Sequence, residues 1–372
     1  MIGYHEIRKI KVEKAREIVR RILIENNNNI SKTARILKIT RRTVRRSRDG
    51  PLGDRSRKPL VSPNKIKLRL EKLVIREGKD TGYRYRRLSK YIYDKYGIEI
   101  SENTIKVILR RNNINRRKIR SRNGRVRHLY DYKYLIPFSN MQVDTKHILD
   151  YDALPKDVYM HIQFNNLPRY EYNIIDACTR TRFTAYSYEI NTTYGWIFML
   201  FVIHWLRMHN VRNHINIQGD NGVEFCSGSK KKEELLNNIL NKFNVSFTSI
   251  PAGKHYRQGI IENSHRHDDE QFLAIHPIRC KTTKQFMYKA QQWQDTWNTA
   301  RRSWGIEMNG ITPLAKFKKY NTLISDRIFQ FPTLLLDNLL QKTGSYVPTN
   351  YLFYDSSSIS VFITSIASSK EV

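Results

Sequence analysis

Cysteine is scarce: Cys178, Cys226 and Cys280 are the only three in 372 residues, and no two stand close enough for a C-x-x-C pair. An odd, scattered set excludes a disulfide framework, a thiol redox motif and a cysteine-held zinc site. Long apolar runs are also missing. The longest, Trp196 to Leu206, is interrupted by His204 and falls well short of the roughly 20 residues a bilayer span needs. The first residues, Met1 to Glu6, carry no apolar stretch of the kind that directs secretion. A reduced, cytoplasmic setting is therefore expected. Acidic residues are few as well, 34 against 66 Lys and Arg, for a net charge of +32.

That positive charge is unevenly placed. Residues 1–127 hold 39 Lys and Arg against 12 Asp and Glu, so nearly all of the excess lies in the front third. A surface of this kind attracts DNA, RNA or anionic membrane, and charge alone does not choose among them. At 372 residues the chain also exceeds what one hydrophobic core usually serves, so two or three domains are expected.

Periodicity supplies the choice. Apolar residues from Ile10 to Leu23 recur at helical spacing until the Asn26–Asn29 run ends the pattern. Ser31 can cap a short helix through Leu37, and Thr40 a further helix carrying Arg41, Arg42, Arg45 and Arg46, with Ala34, Leu37 and Val44 holding the pair together. A short helix, a turn and a basic helix make a helix-turn-helix over residues 1–50, its arginines placed to read a major groove. Residues 51–62, rich in Gly, Pro and charge, read as a basic linker. A second helix-turn-helix, with or without a wing, is expected over 63–127. It has a helix over Arg84–Tyr96, a turn at Gly97–Ile100 and a capped helix over Ser101–Arg111, in which Lys106, Arg110 and Arg111 are candidate DNA contacts. Arg116–Arg127 continues as a basic run suited to phosphates or to a simple linker.

From residue 128 to 320 the texture becomes apolar and aromatic. Met141–Asp144, Val158–Phe164, Tyr172–Ile175, Phe183–Ile190 and Ile215–Gln218 read as extended, and Tyr194–Met208 as an apolar helix, which together predict a mixed sheet with helices packed on it. Asp144 and Asp220 end two of the extended runs, and Glu262 lies on the amphipathic stretch Gln258–Ile275. Two strand ends and a helix can bring three carboxylates to one sheet edge, where oxygen ligands hold hard divalent cations that flank a phosphodiester. Asp176 lies at a hairpin bend and reads as structural. His255, His265, His267 and His276 match no zinc spacing. Residues 321–372 carry too little pattern to assign beyond a C-terminal extension.

Met141-Gln142-Val143-Asp144-Thr145, Gln218-Gly219-Asp220-Asn221-Gly222-Val223-Glu224-Phe225 and Gln258-Gly259-Ile260-Ile261-Glu262-Asn263-Ser264-His265-Arg266 occur in that order, with Thr312-Pro313-Leu314 behind them. In these motifs residues 15–320 resemble DDE transposases of the insertion-sequence type, whose catalytic core is related to retroviral integrases. The resemblance implies an α/β, RNase H-like catalytic core behind an all-α tandem helix-turn-helix region. It also implies Asp144, Asp220 and Glu262 as catalytic and metal-binding triad and two Mg²⁺ ions with Mn²⁺ able to substitute. Arg266, four residues beyond Glu262 and so on the same helix face, is expected to reach DNA phosphates, the other role being an ion pair with Glu262 or Glu270. The implied partners are element ends and target duplex DNA, with a homodimer or higher oligomer forming there. The 41 residues between Asp220 and Glu262 exceed the family's spacing of about 35. Lys230–Leu240 reads as an added helical turn or loop, leaving Glu233, Glu234 and Glu270 as competitors for the third position. The other readings are a domesticated DNA-binding regulator and a metal-dependent nuclease that cuts without joining. Residues 1–127 expressed alone are expected to bind duplex DNA, the logarithm of affinity falling linearly with that of salt concentration; a fragment indifferent to DNA at low salt would refute the reading.

Overall fold

The computed structural model describes residues 4–54, 66–114, 130–251, 255–320 and 323–340. The chain forms two compact units, Met1–Lys67 and Leu68–Val372.

In the first unit, α1 (Tyr4–Ile10), α2 (Val12–Glu25), α3 (Ile30–Ile36) and α4 (Arg41–Asp49) close around Tyr4, Ala15, Val19, Leu23, Ala34 and Val44. The single helix expected over 10–25 begins instead at Val12, because Lys11 is extended and breaks it from α1. Asn29, not Ser31, caps α3, its side chain accepting from Lys32 N at 3.0 Å, while Thr40 caps α4 as expected, accepting from Thr43 N at 3.2 Å. An Asn in extended backbone reaches the free N–H groups as well as a Ser does, so two candidates two positions apart compete and the earlier one prevails. The first residues of the expected linker are tied down: Arg16 Nη1 donates to the carbonyls of Pro51 and Gly53 at 2.7 and 2.6 Å. Residues 55–65 lie outside the described residues.

The second unit begins with α5 (Leu68–Thr81), α6 (Tyr85–Tyr96) and α7 (Glu102–Arg111), packed on Val74, Leu88, Ile92, Ile105 and Ile108. Gly97 closes α6 in the left-handed region at φ 66°, and Ser101 caps α7 through Thr104 N at 3.2 Å. Among the described residues no strand lies between α7 and the sheet; the segment that would hold a wing, with the basic run 116–127, falls outside them. This trio is fastened to the sheet-containing core that follows it in the chain. Arg87 Nε donates to the Arg302 carbonyl at 2.9 Å, and the Arg302 guanidinium grips Asp94 through two 2.9 Å bonds. Gly82, at φ +63°, lies against the Glu270 carbonyl where a Cβ would collide.

The core runs β1 (Asn140–His147), α8 (Lys156–Phe164), β2 (Tyr170–Asp176), β3 (Arg182–Ser187), α9 (Thr192–Met208), β4 (Ile215–Gly219), α10 (Lys230–Leu240), β5 (Val245–Ser249), α11 (Gly259–Asp268), α12 (Thr283–Asp295), α13 (Pro313–Phe317), β6 (Leu334–Leu335) and α14 (Leu336–Leu340). The sheet order is β5-β4-β1-β2-β3-β6, with β1–β2 and β2–β3 antiparallel and β1–β4, β4–β5 and β3–β6 parallel. This is the RNase H-like mixed-sheet class read from the sequence, behind an all-α front. One face, with Met141, Val143, Tyr172 and Ile174, packs on Phe198, Val202 and Leu206 of α9. The other, with Ile175 and Tyr186, packs on Ile261, Phe272, Phe286 and Trp293 of the α11–α12 layer. No helix among the described residues is long and apolar enough to cross a membrane.

Val158–Phe164, expected as extended, is helical. Its β-prone composition misleads, while its burial does not: Val158 and Ile162, four apart, are buried and Met160 and Phe164 exposed, which is helical spacing. Asp176 is fully buried at the β2–β3 turn, accepting from Phe138 N at 3.0 Å and from Thr179 N and Oγ1 at 2.7 and 2.6 Å. It holds the turn, as expected.

Behind α11 an ion pair is buried completely. Arg182 Nη1 reaches Asp268 Oδ1 at 2.5 Å with both side chains inaccessible, Trp293 Nε1 donates to the same oxygen at 2.7 Å, and the Trp297 ring lies 4.3 Å from the guanidinium. Burial, with Asp268 nearby, raises the Glu171 carboxyl above its ordinary value. Removing one member of such a pair strands a charge, so Arg182→Met is expected to lower the unfolding free energy by about 3–5 kcal/mol, and Arg182→Met with Asp268→Leu by much less. Urea denaturation of the two variants checks this, and a loss under about 1 kcal/mol for the single change contradicts it.

Candidate metal centre at the sheet edge

In the parallel pair β1–β4, Gln142 stands opposite Gln218. Side chains alternate along a strand, so two residues further along each chain Asp144 and Asp220 project to the same face as these glutamines, one strand spacing apart. Asp220 is the first residue beyond β4, as expected. Asp144 is not a strand end: β1 continues to His147, still paired with β2 at Thr145, Lys146 and His147.

Beyond Asp220 the chain turns back. Asp220 Oδ1 accepts from Gly222 N at 2.8 Å, a side-chain-closed turn, and a Cβ at Gly222 would run into the carboxylates of Glu224 and Asp220. The returning loop is pinned to the start of α9: Thr192 Oγ1 donates to the Val223 carbonyl at 2.7 Å and Trp196 Nε1 to the Phe225 carbonyl at 2.8 Å, while Phe225 and Cys226 are buried in the core. On the other side Asn221 Nδ2 donates to the Ile250 carbonyl at 2.9 Å. The result is that carboxylate oxygens of Asp144, Asp220 and Glu224 lie within 4.8 Å of one another.

This crowding is unfavourable without a cation. Burial first, then Asp220, Glu224 and Glu262, hold the Asp144 carboxyl well above the ordinary carboxylate range, against the single bond from Thr145 N at 2.9 Å. Glu224 is raised too, by burial and by Asp220. His265 Nδ1 stands 3.5 Å from Asp144 Oδ2, but burial, with Lys146 and Arg182, holds the imidazole well below its usual value, so it supplies no positive charge at neutral pH. An all-oxygen donor set of three repelling carboxylates fits Mg²⁺ or Mn²⁺ and suits a soft, sulfur-seeking metal poorly.

Glu262 lies in the first turn of α11, exposed, and near enough to raise Asp144, yet outside the close group. Of its competitors, Glu233 accepts from Ser249 Oγ at 2.6 Å, Glu234 faces solvent on α10 and Glu270 is exposed in the π-helical turn after α11. The added segment between the second and third motifs is a complete helix, α10. Glu224 was not singled out from the sequence, where it passes as part of Asp-Asn-Gly-x-Glu-Phe; the turn-forming Gly222 two residues earlier was the available signal.

Arg266, half-buried one turn beyond Glu262, donates from Nη2 to Asn263 Oδ1 at 2.6 Å. Arg41, Arg42, Arg45 and Arg46 all point to solvent from α4, with Val44 and Ser47 turned inward. Lys106, Arg110 and Arg111 are exposed on α7, Lys106 lying 5.6 Å from the Tyr85 ring and Arg111 Nη1 3.2 Å from Glu71.

A family model described as a bacterial regulatory protein of the Fis family matches residues 15–47, from α2 into α4. No curated protein matches the chain in sequence. Among solved structures, the catalytic core domain of BIV integrase is similar at 15% identity, over 49% of this chain and 95% of that one, with a TM-score of 0.33. A simian T-cell lymphotropic virus intasome in complex with PP2A regulatory subunit B56 gamma is similar at 10% identity, over 76% of this chain and 78% of that one, with a TM-score of 0.36.

A carboxyl raised on folding binds more protons in the native than in the unfolded chain. Metal-free stability therefore falls as pH rises from the unfolded carboxylate value through the higher folded one. Asp144→Asn removes that penalty, so the metal-free variant is expected to melt higher than wild type at neutral pH and to lose the stabilisation that Mn²⁺ gives the parent. Thermal unfolding in chelator and in Mn²⁺ tests both; an unchanged or lower chelator melting point, or a retained Mn²⁺ shift, goes against the assignment.

Proposed function

We propose that the chain is a DDE-type DNA transposase: it binds the ends of a mobile element, cleaves phosphodiester bonds there and joins the 3′ ends to target DNA. The observation that carries this is the meeting of Asp144, Asp220 and Glu224 at one sheet edge, with Glu262 on the adjoining helix, in a chain whose front carries the helix-turn-helix match over 15–47 and the helical trio α5–α7. Asp144, Asp220 and Glu262, with Glu224 as a fourth carboxylate, would hold Mg²⁺ or Mn²⁺. When bound, such ions activate an attacking oxygen and stabilise the leaving one.

The protein's own residues do the rest. The arginines of α4 and the basic residues of α7 neutralise phosphates and set the register of each DNA end. Because α5–α7 is fixed to the core through Arg87, Arg302 and Asp94, DNA held by α7 is held in a defined relation to the carboxylates. Arg266 faces the phosphates beside the scissile bond. Joining two ends requires two protomers on DNA, in the cytoplasm and at the nucleoid. The match of residues 15–47 to a regulatory-protein family favours a second reading, a DNA-binding regulator without chemistry.

Asp220→Asn and Glu262→Gln are expected to abolish cleavage and joining in Mg²⁺ with end binding unchanged. Arg266→Ala should weaken productive DNA engagement with stability within about 0.5 kcal/mol of wild type. Cleavage and strand-transfer assays on end-bearing duplexes, beside gel-shift affinities, separate these effects. Wild type that binds DNA without cutting it supports the regulator, and cutting without joining supports a plain nuclease.

A further inference from the structure

We propose that Gln142 and Gln218 are positioning residues that set the first turn of α11, and with it Glu262, against the carboxylates of the sheet. The inference rests on the transposase reading for what that helix does, and on geometry for how it is held.

The two glutamines occupy equivalent places. Each precedes an aspartate by two residues, in Gln142-Val143-Asp144 and Gln218-Gly219-Asp220, and they are register partners across β1–β4. Both amides converge on one atom: Gln142 Nε2 donates to the Arg257 carbonyl at 2.8 Å and Gln218 Nε2 donates to it at 3.0 Å. A carbonyl oxygen has two lone pairs, so the pair saturates it.

The start of α11 lacks a cap of its own. Gln258, at the N-cap position, makes no side-chain cap, and its Nε2 instead donates to the Val143 carbonyl at 3.1 Å. The free N–H groups of a first turn need acceptors, and Ile261 N finds one in Gln142 Oε1 at 3.1 Å. The cap is thus supplied from β1, a different element. Gln142, Gln258 and Gln218 are 1%, 3% and 9% exposed, so water does not readily replace these bonds. The helix that carries Glu262 begins where the two strands that carry the aspartates dictate.

The test uses the full chain with Gln142→Met, Gln218→Met and both, measuring Mn²⁺ affinity by calorimetry and amide hydrogen exchange across residues 257–268. Loss of a cap corresponds to roughly 3- to 30-fold in an equilibrium. Gln142→Met is expected to weaken Mn²⁺ by that order and to speed exchange at the start of α11 by a similar factor. Gln218→Met should do less, because one donor to the Arg257 carbonyl remains, and the double variant more. Duplex DNA affinity in chelator stays at the wild-type value. Wild-type Mn²⁺ affinity and wild-type exchange in Gln142→Met overturn the proposal. If that variant does not fold, Gln218→Met decides, and unchanged affinity and exchange there overturn it equally. Faster exchange with unchanged affinity shows a latch that merely stabilises the helix and also overturns it. A wild-type chain that binds no Mn²⁺, or binds it as well after Asp220→Asn, brings down the transposase reading itself.

Discussion

The parallel pairing of β1 with β4 is the constraint on which the rest of the second unit depends. Putting Gln142 opposite Gln218 fixes Asp144 beside Asp220, because the pleat returns each chain to the same face after two residues. A slip of one residue in that register would turn Asp144 into the α9 core and bring Val143 or Thr145 to the edge. Register here is held by burial, since Met141, Val143 and Ile217 lie in the core on the other face. The apolar packing of the sheet on α9 is therefore also what keeps the carboxylates in position.

Two kinds of close approach then shape the edge. Gly195 and Gly222 stand where a Cβ would strike Glu224, the first against its backbone and the second against its carboxylate. The loop after β4 can consequently lie tight against α9 and return Glu224 to the aspartates. On the opposite face the glutamine bonds draw in α11. The edge is built from both layers of the fold, and neither layer could form it alone.

Much of this was legible in the sequence because the signals were strong and local. The basic helices announced themselves through Thr40, Ser101 and the arginines behind them, and the apolar run 194–208 through its length. Where composition and spacing disagreed, spacing held: Val158–Phe164 is rich in β-prone residues, but its two buried members are four apart. Single-residue choices were harder. Asn29 and Ser31 offer the same chemistry two positions apart, and only backbone geometry selects between them. Glu224 was hidden for a different reason. Its role arises from a turn closed by Asp220 on Gly222 N and from a helix, α9, that precedes it in the chain by some twenty residues. Contacts of that kind leave no period in the sequence.

The competing readings of the protein differ in what they ask of this edge. A regulator needs its helix-turn-helix units and a folded body, and it gains nothing from crowding acidic groups. Crowding them is unfavourable: Asp144 and Glu224 are both held above the ordinary carboxylate range by burial and by their acidic neighbours, and the nearby His265 is held neutral. Replacing any one acid by its amide would relieve the strain with little change in shape. Groups with strongly displaced titration that converge at an accessible edge are more often functional than structural, and unfavourable arrangements persist where activity requires them. Arg182 on β3 and Asp268 at the end of α11 show what the fold does with a structural charge, which is to bury it fully, pair it and bond it to Trp293. Asp144, Asp220 and Glu224 have not been given a basic partner of that kind among the described residues. Among the described residues no salt bridge supplies the positive charge that would complete them, and a hard divalent cation is the partner their oxygen atoms suit best.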